Sequence, residues 1–229
     1  MDRKLYALSG ADRQRPFSPH VWKTMMSLAH KGLDHDIETV GFTMIPKLEN
    51  GCTKIVPLLR DGERLVSDSF AIALHLEETY PDRRSLFGGE GGRATARFVE
   101  AWSQTTLHPM VTRIAILDIH AMLAPQDQAY FRESREARLG KSLEAAAQEG
   151  REDAAAFAGK LQPLRHMLQS QPFIGGESPL FSDYIVFGAL QWLRIVSPVK
   201  VLEPDDPAAL WFERCLDLHG GLGRSVTAA

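Results

Sequence analysis

The spacing of apolar positions changes about a third of the way along the chain. Residues 5–8, Leu-Tyr-Ala-Leu, form a short unbroken apolar run, the pattern of a buried strand. Behind it Trp22, Met25, Met26 and Ala29 recur at helical spacing, which predicts a helix over about 19–31 closed by Gly32. "DIETV" (36–40) reads as a second strand. Residues 41–53, with Pro46, Asn50 and Gly51, read as an irregular connection. "KIVPLLRDGERLV" (54–66) predicts a hairpin, two apolar runs joined by an Asp-Gly turn. "SDSFAIALHLEETYP" (67–81) predicts a helix capped by Ser67 or Asp68, packed through Phe70, Ile72, Ala73, Leu76 and Tyr80, and stopped by Pro81.

The order so far is β-α-β, a loop, then β-β-α. A strand-helix-strand start favours a parallel pair, and the hairpin adds antiparallel strands, so a small mixed sheet with helices is expected. "PDRRSLFGGEGGRA" (81–94) then brings five charges and four glycines, the composition of a linker. Beyond it only helical patterns appear, over about 93–121, 128–148, 153–170, 181–196 and 206–218, helped by Ala-rich sequence near residue 150. The expected fold class is α/β plus all-α: an α/β domain over 1–82, a linker over 83–92 and an all-helical domain over 93–229.

Composition narrows the function by exclusion. Apolar residues make up 44% of the 229, enough for a packed core. The formal charge is −3, which gives no electrostatic case for nucleic acid or an anionic membrane. No stretch approaches the ~20 apolar residues that span a bilayer, and the first apolar run is too short for a signal-peptide core. Cys52 and Cys215 form neither a Cys-x-x-Cys pair nor a metal spacing, so a reducing, cytoplasmic setting is expected. The eight histidines lack helical ligand spacing, and no metal site is expected.

Three local features carry candidate chemistry. Ser18-Pro19 opens the first helix. Ser18 suits an N-cap and Pro19 suits the first helical position, yet a hydroxyl there is equally placed to meet a ligand. Pro57 stands inside an apolar run that ought to be buried, although proline cannot donate to a sheet ladder. Either it lies on an edge in the trans form, or a cis Val56-Pro57 bond turns the Val56 backbone outward. Asp68-Ser69 opens the next helix. It is a cap, or it is a carboxylate site at the positive end of the helix.

Their order and spacing resemble a cytosolic glutathione S-transferase of the serine type. Ser18-Pro19, Val56-Pro57, Asp68-Ser69 eleven residues later and an all-helical second half follow that family's plan over nearly the whole chain. "FSPHVWKTMMSLAHKGLDHDIETVGFT", "VPLLRDGERLVSDSFAIALHLEETYPD" and "DLHGGLGR" are most similar to the bacterial beta-etherase branch, which cleaves aryl ethers with glutathione, and to its fungal relatives. One departure is Leu180, where the family usually carries Ser or Thr three residues before the Asp at 183.

The resemblance implies a thioredoxin-like domain followed by a helical bundle, glutathione as co-substrate and a homodimer. Ser18 would donate to the glutathione sulfur and favour thiolate. The Val56 backbone ahead of Pro57 would pair with the cysteinyl unit, as an added strand does. Ser69 and Asp68 would hold the γ-glutamyl end, and Lys47 the glycyl carboxylate. A small apolar electrophile, such as an aromatic ether, would sit among Phe17, Phe42, Met44, Trp102, Pro109 and Ile116, each of which is also an ordinary core residue. Arg113, His108 or His120 would polarise it. A carrier of apolar ligands on the same fold, with little turnover, is the competing expectation.

Overall fold

The computed structural model of the chain describes residues 3–229. Four strands, β1 (Arg3–Leu8), β2 (Asp36–Val40), β3 (Leu58–Asp61) and β4 (Arg64–Ser67), form one mixed sheet in the order β2-β1-β3-β4. β1 runs parallel to β2 and antiparallel to β3, with Leu5 opposite Ile37 on one side and Leu59 on the other. Leu5, Ala7 and Leu59 are fully buried, as expected of central strands covered on both faces.

The hairpin departs from expectation in one respect. β3 starts at Leu58, not at residue 54, and Val56-Pro57 is cis. Pro57 therefore precedes the ladder, and its missing N–H removes no sheet bond. Asp61 pairs with Arg64 inside the ladder, so the two-residue turn is Gly62-Glu63, with Gly62 at φ 62°.

Helix α1 (Pro19–His30) lies between the sheet and the helical half. Val21, Trp22, Met26 and Leu28 are fully buried, and so is Lys23. On the far side runs α9 (Phe181–Val196), with Phe187 edge-on to Trp22 at 6.1 Å. The two helices approach so closely that a Cβ on Gly188 would lie 2.5 Å from the Pro19 carbonyl oxygen. Only glycine fits there, and the contact fixes the start of α1 against α9.

α2 (Ser69–Thr79) is followed by a segment that the glycines marked as linker, and it is well anchored. Leu86 and Phe87 are buried, the Leu86 N–H donates to Glu77, and Phe87 packs on Phe70 and Phe181. α3 (Glu90–Trp102) begins three residues earlier than its pattern suggested. It continues through a π-helical turn at Ser103–Leu107 into α4 (His108–Met122). Pro109 has no N–H to give and would crowd the carbonyl a turn earlier, and the wider turn accommodates it.

The expected 128–148 helix is two helices, α5 (Pro125–Leu139) and α6 (Leu143–Glu152). Gly140 at φ 67° ends the first, and the Ser142 hydroxyl caps the second. Likewise 153–170 divides into α7 (Ala154–Lys160) and α8 (Gln162–Met167), where Pro163 cannot continue the ladder. α9 keeps its expected bounds, and α10 (Pro207–Gly221) is capped by Asp206. At Leu180 the hydroxyl cap is missing, but Asp183 compensates from inside the helix. Its carboxylate accepts from Ile174, Gly175 and Leu180 N–H groups at 2.7–3.0 Å and from the Trp211 indole at 3.2 Å.

Candidate active site

A cavity of about 710 Å³ opens between the sheet-bearing half and the helices α4, α5 and α9. The N-terminus of α1 forms one wall. Ser18 is its N-cap with an extended backbone, and its Oγ accepts from the Val21 N–H at 3.5 Å. That is the outer limit of a hydrogen bond, so the cap is weak, and the hydroxyl donates to no acceptor among the described residues. Ser18 lines the cavity, and the first-turn N–H groups and the positive end of the helix dipole lie beside it. Lys54, Ile55 and Val56, the residues ahead of the cis proline, form the adjoining wall.

Beneath Ser18 lies a polar cluster. The Lys23 ammonium is fully buried and meets both oxygens of Glu100 at 2.8 and 2.9 Å and Nδ1 of His20 at 3.2 Å. Gln104 donates to Glu100 at 3.0 Å. His20 stands edge-on to His108 with ring centroids 5.1 Å apart, and His108 in turn faces Trp192. Burial first, and then the Lys23 charge, lower the His108 pKa to about 4 and hold His20 well below its usual value. Both imidazoles are therefore neutral near neutral pH. His108 Nε2 is buried without a hydrogen-bond partner, on a residue that lines the cavity.

At the N-terminus of α2, Asp68 has φ 77° and caps with one oxygen, accepting from Phe70 and Ala71 N–H groups at 2.9 Å each. Ser69 is 1% exposed and its Oγ has no partner. The negative charge of Asp68 is felt at Lys23, so α2 and the Ser18 helix share one electrostatic neighbourhood.

The sequence model of the glutathione S-transferase N-terminal domain matches residues 17–79, and that of the C-terminal domain matches residues 94–216. The chain belongs to the glutathione S-transferase family. Mouse (Mus musculus) glutathione S-transferase omega-1 is 23% identical over 198 residues, which span 85% of this chain and 71% of that one. Among solved structures, glutathione transferase GSTFuA3 from Phanerochaete chrysosporium is 26% identical at a TM-score of 0.76, covering 96% of this chain and 92% of that one. The glutathione S-transferase CsGST63524 of Ceriporiopsis subvermispora, solved in complex with glutathione, is 22% identical at a TM-score of 0.72, covering 98% and 94%. The mixed sheet followed by helices is this family's thioredoxin-like fold with its helical second domain.

In this glutathione S-transferase, Ser18, Phe17, Val56, Phe42, Pro109 and Arg113 do converge on the cavity. Met44, Trp102 and Ile116 do not line it. Ile116 is fully buried on the core face of α4, Met44 is 40% exposed on the 3₁₀ turn after β2, and Trp102 packs at the end of α3 before the π turn. His120 leans on Phe131 instead of reaching the cavity. Lys47 is exposed outside it, and Lys54 stands on the wall in its place. Pro57, Asp68 and Ser69 are not among the lining residues; Asp68 is exposed, and Pro57 and Ser69 are buried.

Sequence reasoning missed His20, Lys54, Arg135, Arg138 and Trp192, all of which line the cavity. His20 had a local signal, since it is the second residue of a helix whose first turn was already singled out. The others come from a loop and two separate helices, and no spacing along the chain links them.

Proposed function

We propose that this transferase ionises the glutathione thiol at the N-terminus of α1 and directs the thiolate at an aromatic electrophile in the cavity. The carrying observation is Ser18, a buried cap with a 3.5 Å cap bond, on the wall next to the Val56 backbone. A free thiol of this kind ionises near pKa ~8.5. One hydrogen bond to a charged acceptor contributes roughly 1.5–3 kcal/mol, or about one to two pKa units if it acts on thiolate alone. The hydroxyl donates and remains a hydroxyl; Ser18 forms no covalent bond.

The Val56 backbone would pair with the cysteinyl unit, as an added strand does. Ser69, with its unpartnered hydroxyl and the helix N-terminus around it, would receive the γ-glutamyl carboxylate, with Asp68 near the amine. Lys54 is better placed than Lys47 for the glycyl carboxylate, because it stands on the cavity wall. In the reaction the sulfur pair forms a C–S bond, the leaving group departs with the electron pair of its own bond, and the thiol proton goes to solvent. If the leaving group is an aryloxide, as in an ether cleavage, neutral His108 can donate to its oxygen from Nε2. We further propose a homodimer. Phe98 on α3 is 74% exposed and Leu65 on β4 is 38% exposed, and a second copy of this chain would cover them.

Ser18→Ala tests the reading. An enzyme of this kind keeps glutathione affinity within about threefold and loses about tenfold or more in kcat. Equal turnover by both proteins would leave Ser18 as a helix cap and favour a ligand carrier.

A further inference from the structure

The charges on the cavity wall are all of one sign. Lys54, Arg113, Arg135 and Arg138 line it, and among the described residues no Asp or Glu does. Elsewhere in the helical half, arginines meet carboxylates: Arg132 with Glu136 and Glu144, Arg165 with Asp206, and Arg224 with Asp217. The three cavity arginines have no such partner among the described residues. Arg113 Nε is buried without a hydrogen-bond partner among the described residues. Arg135 is half-buried and stacks its guanidinium over Phe42 at 5.1 Å and Phe131 at 4.7 Å, and its one hydrogen bond is to the Ser134 hydroxyl. Arg138 lies one turn further along α5, near enough that its charge adds to burial in lowering the Arg135 pKa.

A guanidinium stays charged at any ordinary pH, so Arg135 and Arg138 stand as neighbouring like charges without an ion-pair partner among the described residues, and Arg113 adds a third positive charge to the same cavity wall. An anion bound at this wall would supply the missing counter-charge. The anion is separate from glutathione. Lys54 belongs to the loop that would meet the tripeptide, whereas the three arginines come from α4 and α5. Beside them are the apolar faces of Phe42, Phe131 and Trp192. A planar apolar group and a planar anion are thus recognised side by side, and the guanidinium fork matches a carboxylate.

We propose that the electrophile is an aromatic acid, its ring held against Phe42 and Phe131 and its carboxylate bound by Arg113, Arg135 and Arg138. This rests on the thiolate-transfer reading above and narrows its substrate class.

The test compares chlorodinitrobenzoate with its neutral methylamide. Each has the same aryl chloride. The thiolate forms the C–S bond, chloride leaves with the C–Cl pair, and the thiol proton passes to solvent. Rates are normalised to the uncatalysed reaction with glutathione, which removes the electronic difference between the two. The expected result is a kcat/KM for the acid at least about tenfold above that of the amide. Arg138→Met, at an exposed position, and Arg113→Lys should each reduce that preference while leaving the KM for glutathione unchanged. Equal efficiencies, or a preference that survives both substitutions, would overturn the proposal. A second arm uses calorimetry with unreactive dinitrobenzoate and its amide, with no thiol present. Preferential binding of the acid by wild type, lost in Arg138→Met, supports the acid site even if no thiolate forms. Equal or absent binding of the two overturns it whatever the thiol does.

Discussion

Asp183 is fully buried and meets no cation among its hydrogen-bond partners, yet both its oxygens accept. Oδ1 takes the Ile174 N–H and the Trp211 indole, and Oδ2 takes the Gly175 and Leu180 N–H groups. Burial pushes its carboxyl above the usual range and the four donors pull it back. Asp183→Ala would strand all four donors, the Trp211 indole in the core and three half-buried backbone N–H groups. Each orphaned buried donor costs about 1–3 kcal/mol, so the expected loss is at least about 4 kcal/mol. Against a typical total of about 5–15 kcal/mol, that is a large share of the stability. Asp183→Asn keeps the shape and one acceptor oxygen but turns an NH₂ towards two donors, so about half the loss is expected, near 2 kcal/mol or more. Denaturant unfolding of the full chain, read by circular dichroism with the slope checked for constancy, measures both. A loss under about 1.5 kcal/mol for the alanine variant would refute the argument that these bonds replace the missing cap at Leu180. The consequence reaches the site, because the same helix carries Gly188 against the Pro19 carbonyl and Trp192 on the cavity wall.

Two other perturbations test the surroundings of the cavity. Lys23→Met leaves Glu100 partly buried without its cation and should destabilise by about 3 kcal/mol; adding Glu100→Gln should restore part of that, and full additivity in denaturant unfolding would argue against the pair. His108 has its pKa near 4 in the fold and about 6.5 in the unfolded chain, so the unfolded state binds more protons between those values. Stability is therefore complete above about pH 6.5 and falls as pH drops towards 4, by roughly 3 kcal/mol from this group, and His30, whose pKa is also near 4, adds a dependence in the same direction. His108→Asn should flatten that slope in unfolding experiments across pH, and an unchanged slope would exclude His108 as a source.

What the sequence revealed followed the range of each signal. β1, α1 and α9 were legible because burial on one or both faces writes an apolar run or a period into neighbouring residues. The breaks at Gly140 and Pro163 were also written locally and were overridden by a helix-rich composition. Ser18, Val56 and Asp68 could be singled out because a cap, a proline and an acid–serine pair each have a local reason to stand where they do. The arginines of α5 and the Lys23–Glu100 pair had no such trace. A buried lysine within an apolar helix face looks like a solvated charge until the partner helix brings its carboxylate to 2.8 Å.

The central claim is ionisation of glutathione beside Ser18, and ultraviolet difference absorbance reads it directly. Glutathione is titrated into the purified protein at a series of pH values, and the thiolate band is followed where the thiol scarcely absorbs. The account predicts a saturable thiolate signal with an apparent pKa about one to two units below ~8.5, reduced in Ser18→Ala. Binding without that band, or no binding at all, would contradict it.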